Sequence, residues 1–162
     1  MRALTLTQPW AGLVAAGIKL VENRSRPMIK KEDFGKPFAL HASRFVNTSV
    51  INRAIELDPN LAPRGPYGLA DARWYKLGHI RSSVLAVATI RDAMHIGGNS
   101  TETTLRMLER LGIPEQLPWT FGPTVYVLAG PPLVLPEPVP CRGRQGFWTL
   151  PADVAARVEA QL

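Results

Sequence analysis

The stretch GIKLVENR, residues 17–24, places Lys19, Glu22, Asn23 and Arg24 within six positions, beside the apolar Leu20 and Val21. In a poorly hydrated pocket a lysine amine gives up its proton more readily. A neighbouring cation pushes the same way, and a carboxylate opposes the shift. Lys19 is therefore a candidate nucleophile or base, and Glu22 a candidate proton carrier that also orients it. Arg24 is a candidate for stabilising developing charge or holding a phosphate. On a regular strand side chains alternate, so Glu22 and Arg24 share one face and Lys19 belongs to the other. Convergence of Lys19 on Glu22 then needs a turn at Gly17 or a bulge. The plainer alternative is an exposed Glu22–Arg24 ion pair, which contributes about 0–1 kcal/mol.

Other residues of chemical interest are spread along the chain. Trp10 and Trp119 offer ring faces on which a nucleobase could stack, in competition with a place in the core; Trp148, near Phe147 and Leu150, reads as core. In PFALHAS, His41 and Ser43 alternate with Phe38 and Leu40 and so face the other way. His41 is either a satisfied buried histidine or an acid–base group in a cleft. Arg142, Arg144 and Gln145 lie in the Gly-rich RGRQG, which is either a phosphate-binding turn or a solvated hairpin. Tyr67, Arg73, Trp74 and Tyr75 interleave aromatics with charge in a long middle segment that reads as a flap over a cleft.

Several chemistries lack their residues. His41, His79 and His95 are scattered beside the single Cys141, so no metal site is expected. RGRQG does not follow the G-x-G-x-x-G order, and there is neither a G-x-x-x-x-G-K nor a G-x-S-x-G. No cofactor is expected. Basic charge is concentrated at the start: residues 1–44 carry eight Lys or Arg against three Asp or Glu, and residues 101–162 five against six. Clustered cations suit a polyanionic partner, because they displace counterions from its phosphates, and they equally suit solubility.

The elements that must position these residues are short, because 15 prolines and 13 glycines punctuate the chain. RALTLT, KLVENR, PFALHAS, SSVLAVATIRD, TVYVLAG, PLVLPEPV and FWTL read as strands, with SSVLAVATIRD central. PWAGLVAAG, NTSVINRAIEL, TETTLRMLERLG and PADVAARVEAQL read as helices, the first opened by Pro9 and closed by Gly17. DPNLAPRGPYG reads as a long loop. Five or six strands with a few irregularly placed helices argue against a doubly wound parallel sheet and for an α+β fold, a small mixed barrel with peripheral helices. A single domain over residues 1–162 is expected, its core about 3–150 and its last helix about 152–161. With 46 % apolar and 20 % charged residues, no apolar run of membrane-spanning length and no leader, the expected compartment is the cytoplasm.

QPWAGLVAAGIKLVENRSRP, residues 8–27, resembles the opening signature of the ASCH domain family, which is related to the PUA domains of RNA-modifying proteins. The G-x-K-x-x-E-x-R pattern is carried by Gly17, Lys19, Glu22 and Arg24. LHAS, VLAVATIRD and WTFGPTVYVL followed by PVPCRGRQGFW fit the same family in the same order. The resemblance implies a PUA-like barrel with a cleft beside the helix of residues 9–16, and RNA or a modified nucleoside as partner. Small bacterial members hydrolyse N4-acetylcytidine with a lysine, a threonine and a glutamate. Lys19 matches that lysine, and Glu22 stands where the threonine would be. Another member is described as a ribonuclease. The resemblance thus implies a cleft that binds RNA or a nucleoside, with Lys19, Glu22 and Arg24 expected at its floor and Trp10, His41, Ser43, Trp119, Arg144 and Gln145 as further candidates to bind the ligand. Its use would be hydrolysis of an N4-acylated cytidine, binding alone, or RNA cleavage.

Overall fold

The computed structural model describes residues 1–62 and 72–162. Seven strands form one mixed sheet among them: β1 (Arg2–Gln8), β2 (Val21–Arg24), β3 (Pro37–Val46), β4 (Ser83–His95), β5 (Thr124–Leu128), β6 (Leu133–Pro140) and β7 (Phe147–Thr149). They fall on the seven segments that read as strands, all of them paired, so the sheet holds one or two strands more than the five or six expected. Their order is β2-β5-β4-β3-β1-β7, with β6 also on β4. Only β1 and β3 run parallel, Leu4 opposite Leu40.

The 13-residue β4 organises the sheet. One edge pairs with β3; the other pairs with β6 through Ser83–Val87 and with β5 through Ile90–His95, with register shifts at Val84/Ala86 and Ile90/Asp92. Such bulges bend a strand and increase its twist, so β4 carries the sheet around into a curled half-barrel. In β6, Pro136, Pro138 and Pro140 withdraw N–H donors, which suits a strand on the sheet's edge.

Five helices cover the sheet among the described residues: α1 (Trp10–Ala15), α2 (Ser49–Leu57), α3 (Arg73–His79), α4 (Thr101–Arg110) and α5 (Ala152–Glu159). Alternation in β1 and β3 sends Leu4, Phe38 and Leu40 to the inner face with Val14 and Tyr126, and Ala3 and Ala39 to the outer face, where Trp148, Leu150, Val154 and Val158 cover them. A third cluster joins Leu13, Trp74, Leu108, Trp119 and Val127.

The described part of the middle segment departs from the expected flap. Tyr67 lies outside the described residues, whereas Arg73, Trp74 and Tyr75 form the first turn of α3, which packs on α1 with Trp74 3 % exposed. The two helix backbones meet at Gly12 and Gly78. Gln8, fully buried, clamps them: its amide donates to Leu77 O and Ile80 O and accepts from Gly12 N. No helix among the described residues is long and apolar enough to cross a membrane.

Candidate functional site

The charged segment begins where α1 ends. Gly17 adopts φ +78°, a left-handed value that glycine takes without strain, and the N–H groups of Ile18 and Lys19 both return to Leu13 O. Gln116 fixes the next residues, accepting from Leu20 N at 2.7 Å and donating to Ile18 O. Regular pairing starts only at Val21, opposite Val127. Lys19 therefore precedes the strand, and the turn resolves the alternation problem. Its Nζ lies 3.3 Å from Glu22 Oε2 and donates to Val21 O, while Glu22 Oε1 lies 3.0 Å from Arg24 Nε.

Lys19 is 2 % exposed and its ammonium sits 5.8 Å from the Trp10 ring centroid. Burial pushes its pKa below the ordinary 10.5; the charge and hydrogen bond of Glu22 oppose this and the Arg24 charge adds to it. Trp119 is 3 % exposed, meets Trp10 edge to face at 6.2 Å, and its carbonyl accepts from Asn23. Its ring belongs to the core and offers no stacking face, contrary to expectation; Trp10 is half-buried beside it.

A cleft of about 940 Å³ opens on the other side of Arg24. It gathers Arg24, His41, Ser43, Arg144 and Gln145 of the expected residues; Lys19, Glu22, Trp10 and Trp119 do not line it. The expected floor is thus divided. Arg24 reaches the cleft with its guanidinium held by Glu22 behind and by Thr5 O, and Lys19 is enclosed behind Glu22.

Five arginines line this cleft: Arg24, Arg26, Arg44, Arg142 and Arg144, with no aspartate or glutamate among the described lining residues. Only Arg24 has a carboxylate partner among the described residues. The Tyr126 hydroxyl, buried in the core, accepts from Met28 N and Ile29 N and so secures the segment that carries Arg26.

His41 is 1 % exposed. Its Nε2 lies 3.1 Å from Cys141 O, and because a carbonyl only accepts, Nε2 carries the proton. Nδ1 therefore keeps a lone pair, and it has no hydrogen-bond partner. Burial lowers the histidine's pKa, against the opposing Cys141 hydrogen bond. Directly above lies Gly143, where an added Cβ would stand 2.4 Å from His41 Cε1. The RGRQG turn can sit this close to the imidazole only because residue 143 lacks a side chain.

Arg26, Arg44 and Phe45 join the cleft without having been singled out in the sequence. The signal for Phe45 was present: the alternation that pairs His41 with Ser43 continues to Phe45, which is 62 % exposed. Thr5 and Thr7, the polar half of the β1 alternation, also face the cleft.

No protein-family model matches the chain, and no curated protein matches it in sequence. Solved structures do match it. An ASCH protein from Zymomonas mobilis superposes with a TM-score of 0.53 at 14 % identity, covering 98 % of this chain and 93 % of that one. Two single-residue mutants of the Zymomonas mobilis protein give 0.51 and 0.50 at 12 % identity, again over 98 % of this chain and over 94 % and 96 % of theirs. The chain thus has the α+β, PUA-like fold of ASCH structures.

Proposed function

We propose that this chain binds RNA in the arginine cleft, chiefly through phosphates. The observation that carries this reading is the cleft's composition: five guanidiniums with no carboxylate among the described lining residues. A guanidinium matches two phosphate oxygens at once, and the four arginines without an acidic partner among the described residues are free to do so, while Arg24 pairs with Glu22 through Nε. Binding driven by such contacts weakens with salt, with a slope of about 0.7 per phosphate contact on a single strand. Fluorescence anisotropy of a labelled RNA oligomer at several salt concentrations should give a log–log slope near −3.5 when all five engage, by the same rule. Replacing Arg26 or Arg144 by alanine should each make the slope shallower by about 0.7. Salt-independent binding, or none at low salt, sinks the reading.

A second reading rests on Lys19, whose desolvated amine lies 3.3 Å from Glu22. That pair suits hydrolysis of an N4-acylated cytidine, with Lys19 as nucleophile or base and Glu22 moving the proton. It ranks second because neither side chain lines the cleft. Incubation with N4-acetylcytidine tests it: deacetylation by the wild type that is abolished in Lys19→Ala would put catalysis first. RNA cleavage is the third reading, and the His41 Nδ1 lone pair is its only support; intact RNA after incubation removes it.

A further inference from the structure

Phe45 stands apart from the other exposed apolar residues. Scattered surface hydrophobics are ordinary, and Leu133 and Leu162 are of that kind. Phe45 is the most exposed large apolar side chain among the described residues, and it lies on the wall of the arginine cleft. The guanidinium of its neighbour Arg44 sits 4.7 Å from its ring centroid. Its backbone is also pinned. The Ser43 hydroxyl accepts from Phe45 N at 3.0 Å and donates to Phe45 O at 2.9 Å, and Asn47 N, two residues on, donates to Gln8 O.

A large apolar ring held in water beside five cations costs solvation without serving the core. It suits a ligand that is apolar and flat at one point and anionic at the next, which describes a nucleotide whose base is unpaired. Bases inside a duplex are covered on both faces by their neighbours and cannot offer one to a side chain. Single strands are bound by joining a cationic groove to aromatic platforms.

Resting on the RNA reading above, we infer that the cleft takes a single-stranded segment, with phosphates on the arginines and one unpaired base stacked on Phe45. Arg44 serves both parts, as a phosphate partner and as a cation on the ring.

The test compares a labelled single-stranded RNA with a blunt duplex of the same sequence, by anisotropy at fixed salt, for the wild type, Phe45→Ala and Phe45→Tyr. Loss of one stacked base should weaken single-strand binding by about 5- to 150-fold in Phe45→Ala. The salt slope should not change, because no phosphate contact is removed, and Phe45→Tyr should bind like the wild type. The duplex should bind more weakly and be indifferent to Phe45→Ala. Since Phe45 is exposed, thermal melting should show all three proteins equally folded. Single-strand binding that survives Phe45→Ala unchanged, or duplex binding equal to single-strand binding, overturns the stacking inference and leaves the arginine cleft standing. Absence of binding to either RNA at low salt overturns both.

Discussion

Glu22 faces Lys19 across 3.3 Å in the interior, and it is the carboxylate nearest that amine among the described residues. Its second oxygen lies against Arg24, so one anion serves two cations. Removing one partner of a buried pair leaves an uncompensated charge and costs about 3–5 kcal/mol. Glu22→Ala should therefore lose about that much stability in urea unfolding. A loss below about 1 kcal/mol, the value of an exposed pair, would show that water already screens the three groups.

Lys19 itself contributes the opposite sign. Its folded pKa lies below 10.5, so the native state binds the proton less well than the unfolded chain does. Folding is then favoured above pH 10.5, and that advantage is lost as pH falls through the folded value. At neutral pH Lys19→Met should be neutral or somewhat more stable, because Glu22 keeps Arg24 as its partner while the cost of burying the ammonium is removed. The difference between variant and wild type should shrink as pH rises towards 10.5. Destabilisation by Lys19→Met at pH 7 would mean that its bonds to Glu22 and Val21 outweigh its burial.

The strands were legible because their signals are local: the Leu4/Leu6 alternation in β1 and the long apolar run of β4. The helix end at Gly17 was legible for the same reason, since a left-handed residue is a property of one position. The site was legible only in part. Side-chain alternation in KLVENR placed Lys19 opposite Glu22, and the turn overrode it because Gln116, 97 residues later in the chain, holds residues 18–20 in place. Five of the cleft residues were legible singly, but their union in one arginine-lined surface was not, because it is assembled from β1, the Arg24–Met28 segment, the end of β3 and RGRQG. No short motif contains such a set. Trp119 was misread for a related reason: its partner Trp10 is distant in sequence, and only tertiary packing shows that the Trp119 ring is buried beside it.

Gly143 should resist any side chain. A methyl there would stand 2.4 Å from His41 Cε1, 2.8 Å from Nδ1 and 3.2 Å from Thr5 Oγ1. The imidazole is held by Cys141 O, so the RGRQG turn would have to lift away. Gly143→Ala should cost about 1–3 kcal/mol, the usual range for overpacking, and should weaken RNA binding by displacing Arg142 and Arg144. Combining it with His41→Ala should recover most of the Gly143→Ala cost, a coupling that a double-mutant cycle measures. Additive losses would show that the contact is relieved in some other way.

Gly12 is the tighter case. A Cβ at this position would meet Gly78 N at 2.5 Å, Trp74 O at 2.6 Å and Gly78 Cα at 2.7 Å, all of them backbone atoms. Backbone cannot rotate away as a side-chain end can, so Gly12→Ala must separate α1 from α3. The expected cost is about 3 kcal/mol, at the top of the overpacking range, read from the midpoint of chemical unfolding. A wild-type midpoint would mean that the two helices are not packed at this distance.

His41 should make stability depend on pH in a window of its own. Its folded pKa lies below the ordinary 6.5 because burial disfavours the imidazolium, so the unfolded chain takes up the proton first. The stability it allows is complete above pH 6.5 and is lost as pH falls through the folded value. Protonation would also put a hydrogen on Nδ1, beneath Gly143 where it has no acceptor. Wild type should therefore lose more melting temperature between pH 7.5 and pH 5 than His41→Gln, which cannot titrate, with about 1.4 kcal/mol for each unit by which the pKa is depressed. Parallel melting curves for the two proteins across that range would mean that His41 titrates alike folded and unfolded, and that its ring is not enclosed as described.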